Sequence, residues 1–124
     1  MRRQTGFTLI ELLVVMVIIA TLLTIAVPSY FGSLENSKET ALRQSLATMR
    51  EALDHHYGDT GRYPDSLEAL VEKRYLRQMP VDPIVERSDM WLTLPPPEGA
   101  EGQVGDVKSG APGTARDGSA YAEW

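Results

Sequence analysis

Few residues of this chain have the types and spacing that chemistry requires. His55 and His56 are its two histidines and they are adjacent. Neighbours in a helix point to different faces, so the pair cannot readily share a metal. Both are expected to be structural or solvent-facing. The chain has no cysteine, which removes disulfides, thiolate metal sites and thiol nucleophiles. Neither a Ser–His–Asp spacing nor a glycine-rich phosphate loop is visible, and metal ligands do not cluster. The expectation is that the chain is not an enzyme. One ionisable group stands out by position. Glu11 lies in GFTLIELLVVMVIIATLLTIAVPSY, inside an otherwise apolar run. A carboxylate in a bilayer costs on the order of 3 kcal/mol, so Glu11 must sit near the interface or meet a cation. A second candidate is Asp117, beside Arg116 in the segment from Asp106 to Gly118. Asp117-Gly118 is also an ordinary turn sequence.

The elements that must position these residues are legible as periodicities. Phe7–Val27 carries one formal charge and as a helix would be about 32 Å long, close to the hydrocarbon thickness of a bilayer. Arg2 and Arg3 precede it, which predicts a cytoplasmic N-terminus. A secretory signal peptide has a shorter apolar stretch, about 7–15 residues, and a small-residue cleavage site after it. An uncleaved membrane helix fits better. Thr21 and Thr24 can bond back to carbonyls one turn earlier. Pro28 removes a backbone donor and is expected to kink or loosen the helix. From Ser29 to Tyr57 the period remains helical. Phe31, Leu34, Leu42, Leu46, Met49, Leu53 and Tyr57 form one apolar stripe, with Glu35, Lys38, Glu39, Arg43, Arg50 and Glu51 largely off it. This predicts one helix of about 50 residues with a proline defect, ended by Gly58 and Gly61.

Beyond the helix, Asp65 and Glu68 look like the start of a capping box. Leu67, Leu70 and Val71 then form one face of a short helix ending near Tyr75-Leu76. Pro80, Asp82 and Pro83 mark a turn. Met90–Leu94 is the clearest strand, stopped by Pro95-Pro96-Pro97. Gln103–Lys108 and Ala120–Trp124 are expected as two further short strands. The fold class is α+β: a long N-terminal helix, membrane-spanning in its first half and amphipathic in its second, packed on a small antiparallel sheet. Trp91 and Trp124 are expected in the core. The formal net charge of −5 and the pI near 5.0 argue against nucleic acid as a partner.

The basic stub and Gly6-Phe7-Thr8-Leu9-Ile10-Glu11 closely resemble the class III signal of type IV pilins and type II secretion pseudopilins. That resemblance implies a type IV pilin-like fold. It also implies that a prepilin peptidase cuts between Gly6 and Phe7 and that Phe7 is N-methylated. Residues 1–6 would then be a leader, 7–28 the transmembrane and assembly helix, and 29–124 a periplasmic domain. Glu11 would neutralise the Phe7 amine of a neighbouring subunit and fix the axial register, since a buried unpaired charge is strongly penalised. Pro28 would mark a region that partly melts in the fibre. The segment with Tyr63-Pro64, Leu67–Val71, Tyr75-Leu76 and Met79–Pro83 is similar to the major pseudopilins of type II secretion. Type IV pilins usually close their C-terminal loop with a disulfide, which this chain cannot form.

The implied function is a structural subunit of a pseudopilus that drives type II protein secretion. Its implied partners are further copies of itself, other pseudopilins, the prepilin peptidase, an inner-membrane assembly platform and membrane lipid. Its implied place is the bacterial inner membrane. A minor pilin or competence pilin in an extracellular fibre is the alternative. Major pseudopilins commonly hold calcium in a loop after an Asp-x-x-Ser phrase, here Asp106 to Ser109. In this chain Pro112 stands where an acidic residue is frequent, leaving Asp117 as the first side-chain ligand to expect. Apart from that possible calcium, no cofactor is expected.

Overall fold

A computed structural model describes residues 3–124, so Arg2 of the basic stub lies outside the described residues. The chain divides into two compact units, the first ending at Glu35 and the second covering Asn36–Trp124. Helix α1, Leu9–Thr60, runs through 52 residues. Its first turn is organised by Thr8, whose Oγ1 accepts the Glu11 N–H at 3.1 Å and whose carbonyl accepts the Leu12 N–H at 3.1 Å. Threonine followed three residues later by glutamate is a helix-start pattern. Thr21 and Thr24 donate to the carbonyls of Val17 and Ala20, each at 2.8 Å, as their positions predict.

Pro28 lies inside the helix and helical backbone continues on both sides of it. A missing N–H there costs one ladder bond without ending the element. The helix stops where Gly61 enters the left-handed region with φ +74 and its N–H bonds the Tyr57 carbonyl at 2.8 Å. Gly58 stays within the helix. In the first unit, Phe31 and Leu34 are exposed; the predicted stripe is buried only where the second unit covers it.

In that second unit, Leu42, Leu46, Met49 and Leu53 of α1 meet Leu67, Leu70, Leu76, Trp91, Val104 and Val107 in one core. A fully buried leucine contributes about 1.5–3 kcal/mol by leaving water. Trp124 packs on this core while partly buried, and Trp91 belongs to it. Tyr57 is exposed and stacks on Tyr63, with ring centroids 4.7 Å apart.

Helix α2 spans Leu67–Glu72. Its cap is Ser66, which accepts from the Ala69 N–H at 3.2 Å, and not Asp65, which pairs with Arg62 at 3.1 Å. It ends well before Tyr75, because Arg74 takes φ 65 and the N–H groups of Tyr75 and Leu76 both turn back to the Leu70 carbonyl. Strand β1, Trp91–Leu94, pairs antiparallel with β2, Asp106–Ser109, with Trp91 opposite Ser109. The sheet has two strands. The third predicted strand is instead a 3-10 turn, Tyr121–Glu123. Residues three apart share a side of such a turn, so Tyr121 and Trp124 meet edge to face at 5.2 Å.

Gly102 shows why the 99–105 connection needs glycine. It has φ +115, and a Cβ there would run into the backbone carbonyl of Tyr63.

Candidate assembly site

In the first unit the residues of the expected processing site stand in the open. Phe7 is 84% exposed, and a Cβ on Gly6 would meet nothing within 4 Å. Thr5, Gly6, Phe7 and Glu11 line one shallow groove of about 200 Å³. Glu11 lies in the first turn of α1, where the unsatisfied N–H groups favour negative charge. After it comes a span long and apolar enough to cross a membrane, with no part of its most apolar window buried. Such a surface is stable only against lipid or against other helices.

The second unit holds the remaining candidate residues. Asp117 is engaged on both oxygens. Its Oδ1 accepts from the N–H and the hydroxyl of Ser119 at 3.0 and 2.6 Å, and its Oδ2 lies 3.5 Å from the Arg43 guanidinium. Those hydrogen bonds, the hydroxyl's first, hold its pKa below the usual carboxylate value, with Arg43 adding to them. Asp106 is paired with Arg50 at 2.9 Å. Calcium takes six to eight oxygens, several of them carboxylate. Among the described residues no three His, Cys, Asp or Glu side chains come together to hold a metal.

The two histidines separate as their adjacency requires. His55 is exposed beside Glu51 at 3.6 Å. His56 is buried, with Nδ1 at 2.8 Å from the Arg62 carbonyl. A carbonyl only accepts, which assigns the proton to Nδ1 and leaves Nε2 facing the Lys73 ammonium at 3.4 Å. His56 therefore ties the end of α1 to the turn after α2. Tyr75 does the same from outside, donating to Asp59 Oδ2 at 2.8 Å. That bond raises the Tyr75 pKa above the usual phenol value.

One buried pair escaped the sequence reading. Asp82 and Ser109 are both fully buried. The Ser109 hydroxyl donates to Asp82 Oδ2 at 2.5 Å, Asp82 Oδ1 accepts the Ile84 N–H at 2.9 Å, and Ser109 Oγ accepts the Ala111 N–H at 3.1 Å. The turn between α2 and β1 is thereby locked to the end of β2. The Trp91 indole N–H adds a bond to the Pro80 carbonyl at 2.8 Å. Both ends of this lock lie in motifs visible in sequence, Pro80–Pro83 and Asp106–Ser109. Only the fold pairs them.

The profile of the prokaryotic N-terminal methylation motif matches residues 1–27. The type II secretion system core protein G of Klebsiella pneumoniae is 33% identical over 140 aligned positions, covering 100% of this chain and 96% of that protein. This chain belongs to the core protein G family. The relative of that name from Klebsiella michiganensis is 33% identical, covering 94% of each chain. That of Escherichia coli K12 is 30% identical, covering 93% of this chain and 89% of its own. No solved structure matches the chain. A major pseudopilin of type II secretion accounts for the exposed apolar helix and the two-stranded α+β unit together. The agreement of the relatives' names favours the secretion system over an extracellular minor or competence pilin.

Proposed function

We propose that this chain is a pseudopilus subunit of type II protein secretion, made as a precursor, cut between Gly6 and Phe7, and N-methylated on Phe7. One observation carries the reading. An exposed glycine stands three residues before a helix that opens with a membrane-length apolar span and holds one carboxylate in its first turn. In the proposed filament the Phe7 ammonium of one subunit meets Glu11 of the next, and α1 helices replace lipid around each other's apolar faces. Only one stagger satisfies both charges, because a mis-set register buries them apart. In this reading the N-terminus starts on the cytoplasmic side of the inner membrane, residues 29–124 lie in the periplasm, and Pro28 marks the exit from the bilayer. Prepilin peptidase, other pseudopilins and the assembly platform are the proposed partners.

Intact mass of the protein purified from membranes of cells that contain the peptidase tests this directly. A chain starting at Phe7 and heavier by one methyl is the expected result. A chain that retains its leader in those cells would reduce it to a single-pass anchored domain.

A further inference from the structure

Three charged residues of α1 within the second unit, Glu39, Arg43 and Arg50, converge on the C-terminal segment. Glu39 Oε1 accepts the backbone N–H of Arg116 at 2.9 Å and the hydroxyl of Tyr121 at 3.2 Å. Four residues on, Arg43 pairs with Asp117 Oδ2 at 3.5 Å, and its guanidinium carbon lies 4.2 Å from the centre of the Trp124 ring. Arg50 donates to Asp106 Oδ1 at 2.9 Å, the Val107 carbonyl at 3.0 Å and the Trp124 carbonyl at 2.6 Å. The loop also closes on itself. The Ala115 N–H bonds the Ser119 carbonyl at 2.7 Å, and the Trp124 indole N–H bonds Ser119 Oγ at 2.8 Å.

A divalent cation would have to dismantle this arrangement. At Asp117 Oδ1 it would displace two hydrogen bonds. It would also need to approach within a few ångströms of the Arg43 guanidinium, a like charge. The other nearby carboxylates, Glu39 and Asp106, are held by donors of their own.

We propose that in this chain the C-terminal loop is fastened to α1 by Glu39, Arg43 and Arg50, with Arg43 supplying the positive charge at Asp117 that the family resemblance assigns to calcium. Folding of the loop then requires no divalent cation. The inference holds whether or not the chain assembles into a filament.

The test is thermal unfolding of the full chain in detergent, followed by tryptophan emission, in EGTA and across a calcium titration to millimolar. The expected midpoints agree within about 1 °C. A ligand present at a hundred times its Kd would raise the midpoint by about 10 °C or more. The double substitution Glu39→Gln with Arg43→Gln should lower the midpoint by about 4 °C or more and shift the emission of Trp124, equally with and without calcium. A saturable rise in midpoint with calcium on the unaltered chain overturns the proposal. So does a double variant that melts and emits as the parent does. Where the double variant fails to accumulate, the titration on the unaltered chain decides alone.

Discussion

Ser109 and Asp82 show how much a single hydroxyl can hold. Ser109→Ala leaves a fully buried carboxylate oxygen without its donor, and a buried unsatisfied acceptor costs about 1–3 kcal/mol. An unfolding free energy lowered by that amount, read as a lower urea midpoint at unchanged slope, is the expected measurement. Gly6 is the opposite case. Its surroundings are empty, so Gly6→Val should leave folding untouched and block processing alone, read as an unshortened mass. Tyr75 gives a pH dependence of definite sign. Its pKa is raised by Asp59, so the bond contributes fully below the ordinary phenol pKa of about 10 and is lost as pH rises through the raised value. Tyr75→Phe should flatten the alkaline limb of the stability curve and leave the acid limb as it was. At this scale the sequence displayed Glu11, whose surroundings are its chain neighbours. It hid the Asp82–Ser109 bond, because two short polar side chains 27 residues apart leave no periodic trace.

At the scale of elements, legibility followed the length of the repeat. α1 was readable almost end to end, since its stripe from Leu42 to Leu53 repeats over several turns and Gly61 closes it. α2 was placed correctly at its start but read too long, since it stops at Glu72, and capped wrongly: Asp65 and Ser66 are both good caps, and the extended backbone that makes Ser66 the cap leaves no mark in the sequence. The distinction has a measurable consequence. Ser66→Ala should cost about 1 kcal/mol, whereas Asp65→Ala should cost less, as it removes only an exposed ion pair with Arg62. Paired chemical denaturation curves would separate the two. The C-terminal segment was misread as a strand. A strand would send Tyr121 and Trp124 to opposite faces. Their spacing of three suits the 3-10 turn that places both rings against α1, and the apolar partners that select it are distant in sequence.

Across the whole molecule the two units answer to different surroundings. The second buries its own core and satisfies its polar groups by itself: among the described residues, no buried side-chain nitrogen or oxygen lacks a partner. The first leaves Leu9 to Val27 exposed. Glu11→Leu removes the one charge in that run. The variant should insert at least as well as the parent and be processed, yet give a low yield of sedimentable filaments; a normal yield would remove Glu11 from any role in register. The general architecture, an anchor helix continuing into an α+β unit, was legible from hydropathy and period alone. The count and pairing of the strands was not, because four-residue strands rich in turn-forming neighbours carry too few residues to show a period of two.

The exposed apolar window has a bearing on how faults in this protein would come to notice. Substitutions there lie outside the buried core, so a collection of variants sorted by melting temperature would retain nearly all of them. Sorted by growth on an exported enzyme's product, the same collection would lose many, each one indistinguishable from the parent until subunits meet. Damage to the buried core of residues 36–124 would open that unit to proteases. Damage to residues 9–27 would pass that inspection and be discovered only by the crowd.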